Sequence, residues 1–121
     1  MAEGGRPAEA TIAAIASAPG PGERGVIRVS GARAGELVAA TVRGPDVAGP
    51  VAPSGRALLR GRFLDGRGEQ PVLLLWMPGP HSYTGEDVAE LHLPGAPPLL
   101  AAALERLLAL GARAAEPGEF T

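Results

Sequence analysis

The chain has 121 residues, a length that fits one domain with a modest core. It has no cysteine, which excludes disulfides and a Cys-based zinc site, and its two histidines argue against a structural metal centre. The net charge is −2 and every basic residue is an arginine, so the basic surplus of a domain that binds nucleic acid strongly by itself is missing.

Glycine and proline number 18 and 13, about a quarter of the chain. The apolar fraction of 45% nonetheless argues for a folded domain with long turns. Aromatic residues are 3%, so Leu, Val, Ile and Ala must build the core. No apolar run approaches the length of a membrane span, and the N-terminus does not read as a signal peptide. The expectation is a cytoplasmic protein with no membrane contact.

In chain order, Met1–Ala10 is small, polar and aperiodic, and a mobile tail is expected there. Thr11–Ser17 reads as a first strand. Ala18–Gly25 is a Gly-rich loop without the Gly-Lys-Ser/Thr ending of a P-loop, so a plain turn is expected. Gly25–Ser30 alternates as a second strand, with Ile27 and Val29 on one face and Val26, Arg28 and Ser30 on the other. Ala34, Leu37, Val38, Thr41 and Val42 follow helical spacing, with Ser30 as the expected N-cap and Gly44–Pro45 as the stop. Pro45–Gly55 is a connector.

Ala57–Leu64 is expected to be a third strand with Arg60 and Arg62 on one face. Asp65-Gly66-Arg67-Gly68 carries a hairpin turn. Val72–Met77 has no polar face, so a central strand covered on both sides is expected. Trp76, within that run, is expected to pack in the core. Val88–Leu93 alternates and puts Glu90 and His92 on one face. Pro97 and Pro98 open a second helix, whose apolar face is Leu99, Leu100, Ala103, Leu104, Leu107 and Leu108, with Gly111 as its stop. Ala112–Ala115 reads as a last short strand. The abrupt Phe120–Thr121 ending suggests a domain cut from a longer protein or a truncated gene.

Chemistry gathers between the fourth and fifth strands. His81, Ser82, Tyr83, Thr84, Glu86, Asp87 and Glu90 lie close together, punctuated by Pro78, Gly79, Pro80 and Gly85. Such a polar loop between apolar runs is a natural binding place. Within it, His81 and Asp87 are a candidate pair for a small α/β enzyme, with a capping or turn role for Thr84 and Asp87 as the alternative. Arg28, mid-strand, reaches either solvent or a ligand. Glu90 is unusual in mid-strand, and is either on an exposed edge or a buried carboxylate that meets ligand N–H groups.

The Pro78–Leu91 segment, P-G-P-x-S-Y-T-G-E-D-V-x-E-L, resembles a signature of the N-terminal domain of bacterial tRNA-modification GTPases of the MnmE (TrmE) family. Gly25–Gly31 resembles that family's second strand. Gly111-Ala112-Arg113 with Glu116–Thr121 resembles the segment leading to its next domain. The matches keep family order and span Thr11–Thr121.

The resemblance implies an α+β domain with a mixed sheet of five or six strands and two main helices, akin to the folate-binding domain of glycine-cleavage T-type proteins. It implies binding of 5-formyl-tetrahydrofolate or another tetrahydrofolate, with Arg28 and Glu90 as matching contacts; the family's third contact, a lysine, lies beyond Thr121. It also implies a homodimer. Through the longer protein, it implies GTPase and helical domains, an FAD-dependent MnmG-type partner, and modification of C5 of the wobble uridine in tRNA. No GTPase or other catalytic site is read in this chain. The sequence departs from the family where His-Gly-Gly-Pro becomes Pro94-Gly95-Ala96-Pro97. A structural dimerisation module that has lost folate binding is therefore the alternative.

Overall fold

The computed structural model describes residues 11–17, 20, 22–44, 55–79, 85–116 and 119. The expected tail, nearly all of the connector and residues 81–84 lie outside them. Within the described residues, seven strands and two helices run in the order β1 (Ile12–Ile15), β2 (Arg24–Ser30), α1 (Ala34–Thr41), β3 (Val42–Arg43), β4 (Ala57–Leu64), β5 (Glu69–Met77), β6 (Val88–Pro94), α2 (Pro97–Ala109) and β7 (Arg113–Ala114).

One mixed sheet of the α+β class holds all seven strands, ordered β3-β4-β5-β6-β2-β1-β7. Every pairing is antiparallel except β1 with β7. The strand beyond the expected five or six is β3. Val42 occupies a helical apolar position in the sequence, but the helix ends at Thr41 and Val42 instead pairs with Phe63. There β3 approaches β4 so closely that a side chain on Gly61 would collide with the Arg43 carbonyl.

Both helices pack on one face of the sheet. Ile27, Val29, Leu74, Trp76, Ala89, Leu91 and Leu93 meet Leu37 and Val38 of α1 and Leu100, Ala103 and Leu107 of α2 in one core. The core role expected of Trp76 holds, with 1% of the residue exposed. Gly25 admits the Leu100 side chain against β2, where any side chain would overlap it. No described helix is long and apolar enough to cross a membrane.

Three sequence expectations change. Ser30 does not cap α1. It is buried as the last residue of β2, and Gly31–Arg33 turns the chain before the helix begins at Ala34 with no side-chain cap. Strand β5 is fully covered on its helix side, while on the other side Met77 is buried and Leu73 and Leu75 are only half-buried. The buried stripe of α2 narrows to Leu100, Ala103 and Leu107, leaving Leu99 38% exposed. The hairpin turn is as expected: the Asp65 carboxylate accepts from the Arg67 and Gly68 amides at 2.9 and 2.8 Å.

Candidate functional site

The helix-free face of the sheet carries the candidate site, and strand alternation dictates its membership. Cross-strand register aligns Leu58, Leu75, Glu90, Arg28 and Ala14 in one row. The next row contains Arg60, Leu73, His92 and Val26. On the other side lie Met77, Val88, Ser30 and Ile12, all buried. The two residues expected to bind therefore come from neighbouring strands, directly opposite each other, near the middle of the sheet.

They meet. Arg28 donates from Nε and Nη2 to Oε2 of Glu90 at 3.0 and 2.9 Å. The side chains are 28% and 15% exposed, a half-sheltered setting in which opposite charges attract more strongly than in bulk water. The imidazole of His92, two residues along β6, brings Nε2 to 3.4 Å from the other oxygen, Oε1. Burial pushes the Glu90 carboxyl up, but the hydrogen bonds and charge of Arg28, then those of His92, outweigh it and hold the group below its ordinary range. Glu90 is thus an anionic acceptor at neutral pH, able to bind a planar N–H fork.

Asp87 has a structural task. Its Oδ1 accepts from the Gly79 amide at 3.0 Å, and its carbonyl accepts from the Gly31 amide at 2.9 Å. These bonds pin both ends of the signature loop beside the site. Gly79 makes the pinch possible, since a Cβ there would stand 2.7 Å from the Gly85 carbonyl oxygen. His81, the partner proposed for Asp87 in an enzyme, lies outside the described residues.

The altered Pro94–Ala96 segment also finds an internal explanation. The Gly95 backbone lies against the β1–β2 loop: its amide donates to the Glu23 carbonyl at 3.4 Å, and its carbonyl accepts from Gly22 at 3.3 Å. A side chain on Gly95 would collide with the Gly22 carbonyl. Ala96 is the N-cap of α2 at φ −77°, a conformation open to any residue, and its carbonyl accepts from the Leu99 and Leu100 amides. Gly95 has a backbone reason to be glycine, and Ala96 stands where a side chain is tolerated. Sequence reasoning saw that Glu90 and His92 share a face and allowed Asp87 a capping or turn role, but missed the His92 contact and the Gly79 amide as the partner of Asp87. The two-residue spacing signals the first. The second depends on the fold bringing Gly79 back to Asp87.

A single antiparallel sheet, mixed only at β7, with helices on one face and a charged pair on the other, defines the class: a small α+β domain. Comparison with known proteins specifies it. The family model described as "GTP-binding protein TrmE N-terminus" matches residues 11–121. A protein of Stutzerimonas stutzeri named tRNA modification GTPase MnmE is 48% identical over 117 residues, which cover 95% of this chain and 24% of that protein. Its namesake in Gluconacetobacter diazotrophicus is 44% identical over 115 residues (91% and 25%), and that in Halorhodospira halophila is 50% identical over 113 (92% and 23%). The chain belongs to the family of MnmE (TrmE) N-terminal domains. It spans about a quarter of the length of these relatives.

Proposed function

We propose that this chain is the folate-binding and dimerisation domain of a cytoplasmic tRNA-modification GTPase acting at C5 of the wobble uridine. The observation that carries the reading is the Arg28–Glu90 pair: two charged side chains on adjacent strands, converging on one half-sheltered spot of the helix-free face. The donor set fits a reduced folate. Glu90 offers a carboxylate to the N–H fork of a pterin ring, and Arg28 offers N–H groups to a carbonyl or acidic part of the same molecule. When bound, the folate supplies a one-carbon unit; these residues bind and orient it.

Dimerisation fits the same face. Leu58 is 65% exposed there, and Leu73, Leu75 and Val26 are only half-covered, so a second copy would cover apolar area that one chain leaves to water. GTP hydrolysis, the MnmG-type FAD partner and the tRNA belong, on this reading, to the longer protein that the relatives represent.

Calorimetric titration of the 121-residue chain with 5-formyl-tetrahydrofolate tests the reading. Saturable binding is expected, with a loss of about a hundredfold or more in Glu90→Ala, since two charge-assisted bonds at roughly 1.5–3 kcal/mol each disappear. The second reading, a structural module without folate, is favoured by one feature: Arg28 and His92 already engage both oxygens of Glu90. A wild-type titration with no heat of binding would decide for it.

A further inference from the structure

The Glu90 carboxylate is held from two directions that are not equivalent. Arg28 reaches it from β2 and donates twice to Oε2. His92 reaches Oε1 from the same strand and the same face, so the strand itself fixes its position relative to Glu90. A ligand fork that takes both carboxylate oxygens must displace part of this arrangement, and the bonds in its way on Oε2 are those of Arg28.

The histidine has its own asymmetry. Nδ1 is buried and has no hydrogen-bond partner among the described residues, while Nε2 faces the carboxylate. A carboxylate only accepts, so Nε2 must carry the proton, and in the neutral ring this leaves Nδ1 bare. The geometry therefore suits, in the neutral ring, the tautomer that donates from Nε2.

We propose that His92 is a positioning residue for the ligand-binding carboxylate: it holds Oε1 of Glu90 in place while Oε2 is handed from Arg28 to the N–H groups of the ligand. The role rests on the folate reading for the identity of the ligand, but the hold itself exists without one. Among the described residues, the cross-strand register names the groups beside the carboxylate. Arg28 stands opposite on β2 and Leu75 opposite on β5, while His92 is flanked by Val26 and Leu73, with Arg60 of β4 beyond Leu73.

Three measurements on the full chain test this. Long-range 1H–15N spectra of the wild type should show the neutral His92 ring protonated on Nε2; an Nδ1–H tautomer overturns the proposal. The Glu90 carboxyl, followed by 13C NMR without ligand, should titrate at higher pH in His92→Phe and return toward the wild-type midpoint in His92→Gln, whose amide can donate. An unmoved midpoint in His92→Phe overturns the hold. Titrated with 5-formyl-tetrahydrofolate, His92→Phe should bind about three- to tenfold more weakly than wild type. In a Glu90→Ala background the same change should cost nothing further; an equal cost there overturns the proposal. Absence of wild-type binding defeats the folate reading alone, because the first two measurements need no ligand.

Discussion

At the scale of single residues, pH reads the Arg28–Glu90 contact directly. The folded chain holds the Glu90 carboxyl below its ordinary 4.5. A depressed carboxyl stabilises the fold above the unfolded-state value, and that contribution disappears as pH falls through the folded value. Glu90→Gln should therefore be less stable than wild type at neutral pH, and the gap should close below about pH 4. Urea denaturation at pH 7 and at successively lower pH measures it; a gap that is constant across that range would show that the charge contributes nothing. Arg28→Ala strands the anion instead, with an expected cost of about 1–3 kcal/mol at neutral pH. Much of this site was legible beforehand. The period-two alternation of β2 and β6 placed Arg28, Glu90 and His92 on definite faces. The missing facts were that β2 and β6 are neighbours and that their register sets Arg28 opposite Glu90. Such pairing is a property of two segments 62 residues apart, and neither segment encodes it locally.

At the scale of elements, boundaries were less legible than existence. The first three residues of β5, Glu69, Gln70 and Pro71, lie ahead of the strand expected from the sequence at Val72–Met77, and Glu and Pro are depleted in strands. They are strand because β4 continues opposite them, pairing Leu64 with Glu69 and Arg62 with Pro71. Pro71 precedes the stretch paired to β6, which starts at Leu73, so its missing N–H breaks no bond of that ladder. The Gly95 crossing supports a sharper prediction. Gly95→Ala forces apart the β6–α2 junction and the β1–β2 loop, both backbone, which have no flexible side chain to yield. A destabilisation of about 1–3 kcal/mol is expected, seen as a melting temperature several degrees lower. Ala96→Gly should change the melting temperature much less, since Ala96 sits in an ordinary conformation. Equal effects at the two positions would refute the distinction.

At the scale of the whole molecule, the sheet has one face covered by helices and one that mixes charge with half-exposed leucine. The sequence of β5 foretold cover on both sides, and among the described residues Leu73 and Leu75 stay half-buried on the helix-free side. On the proposed function the second layer is another copy. Sedimentation of the wild-type chain should show a dimer, and Leu58→Asp, which puts a charge on an exposed position and disturbs no core, should shift it to monomer without lowering the melting temperature of the monomer. A monomeric wild type at high micromolar concentration would remove the second copy from this face.

The pairing of β7 with β1 has a bearing on how the molecule is made. Ile12 lies beside Arg113, and no other described strand covers that flank of β1. A ribosome delivers Ile12 before Arg113, with every other strand of the sheet between them, so the nascent β1 waits with one side open until synthesis has passed α2. The sheet can zip from β2 through β6 while the chain is still emerging, but its final seam closes only when the segment beyond Gly111 clears the exit tunnel.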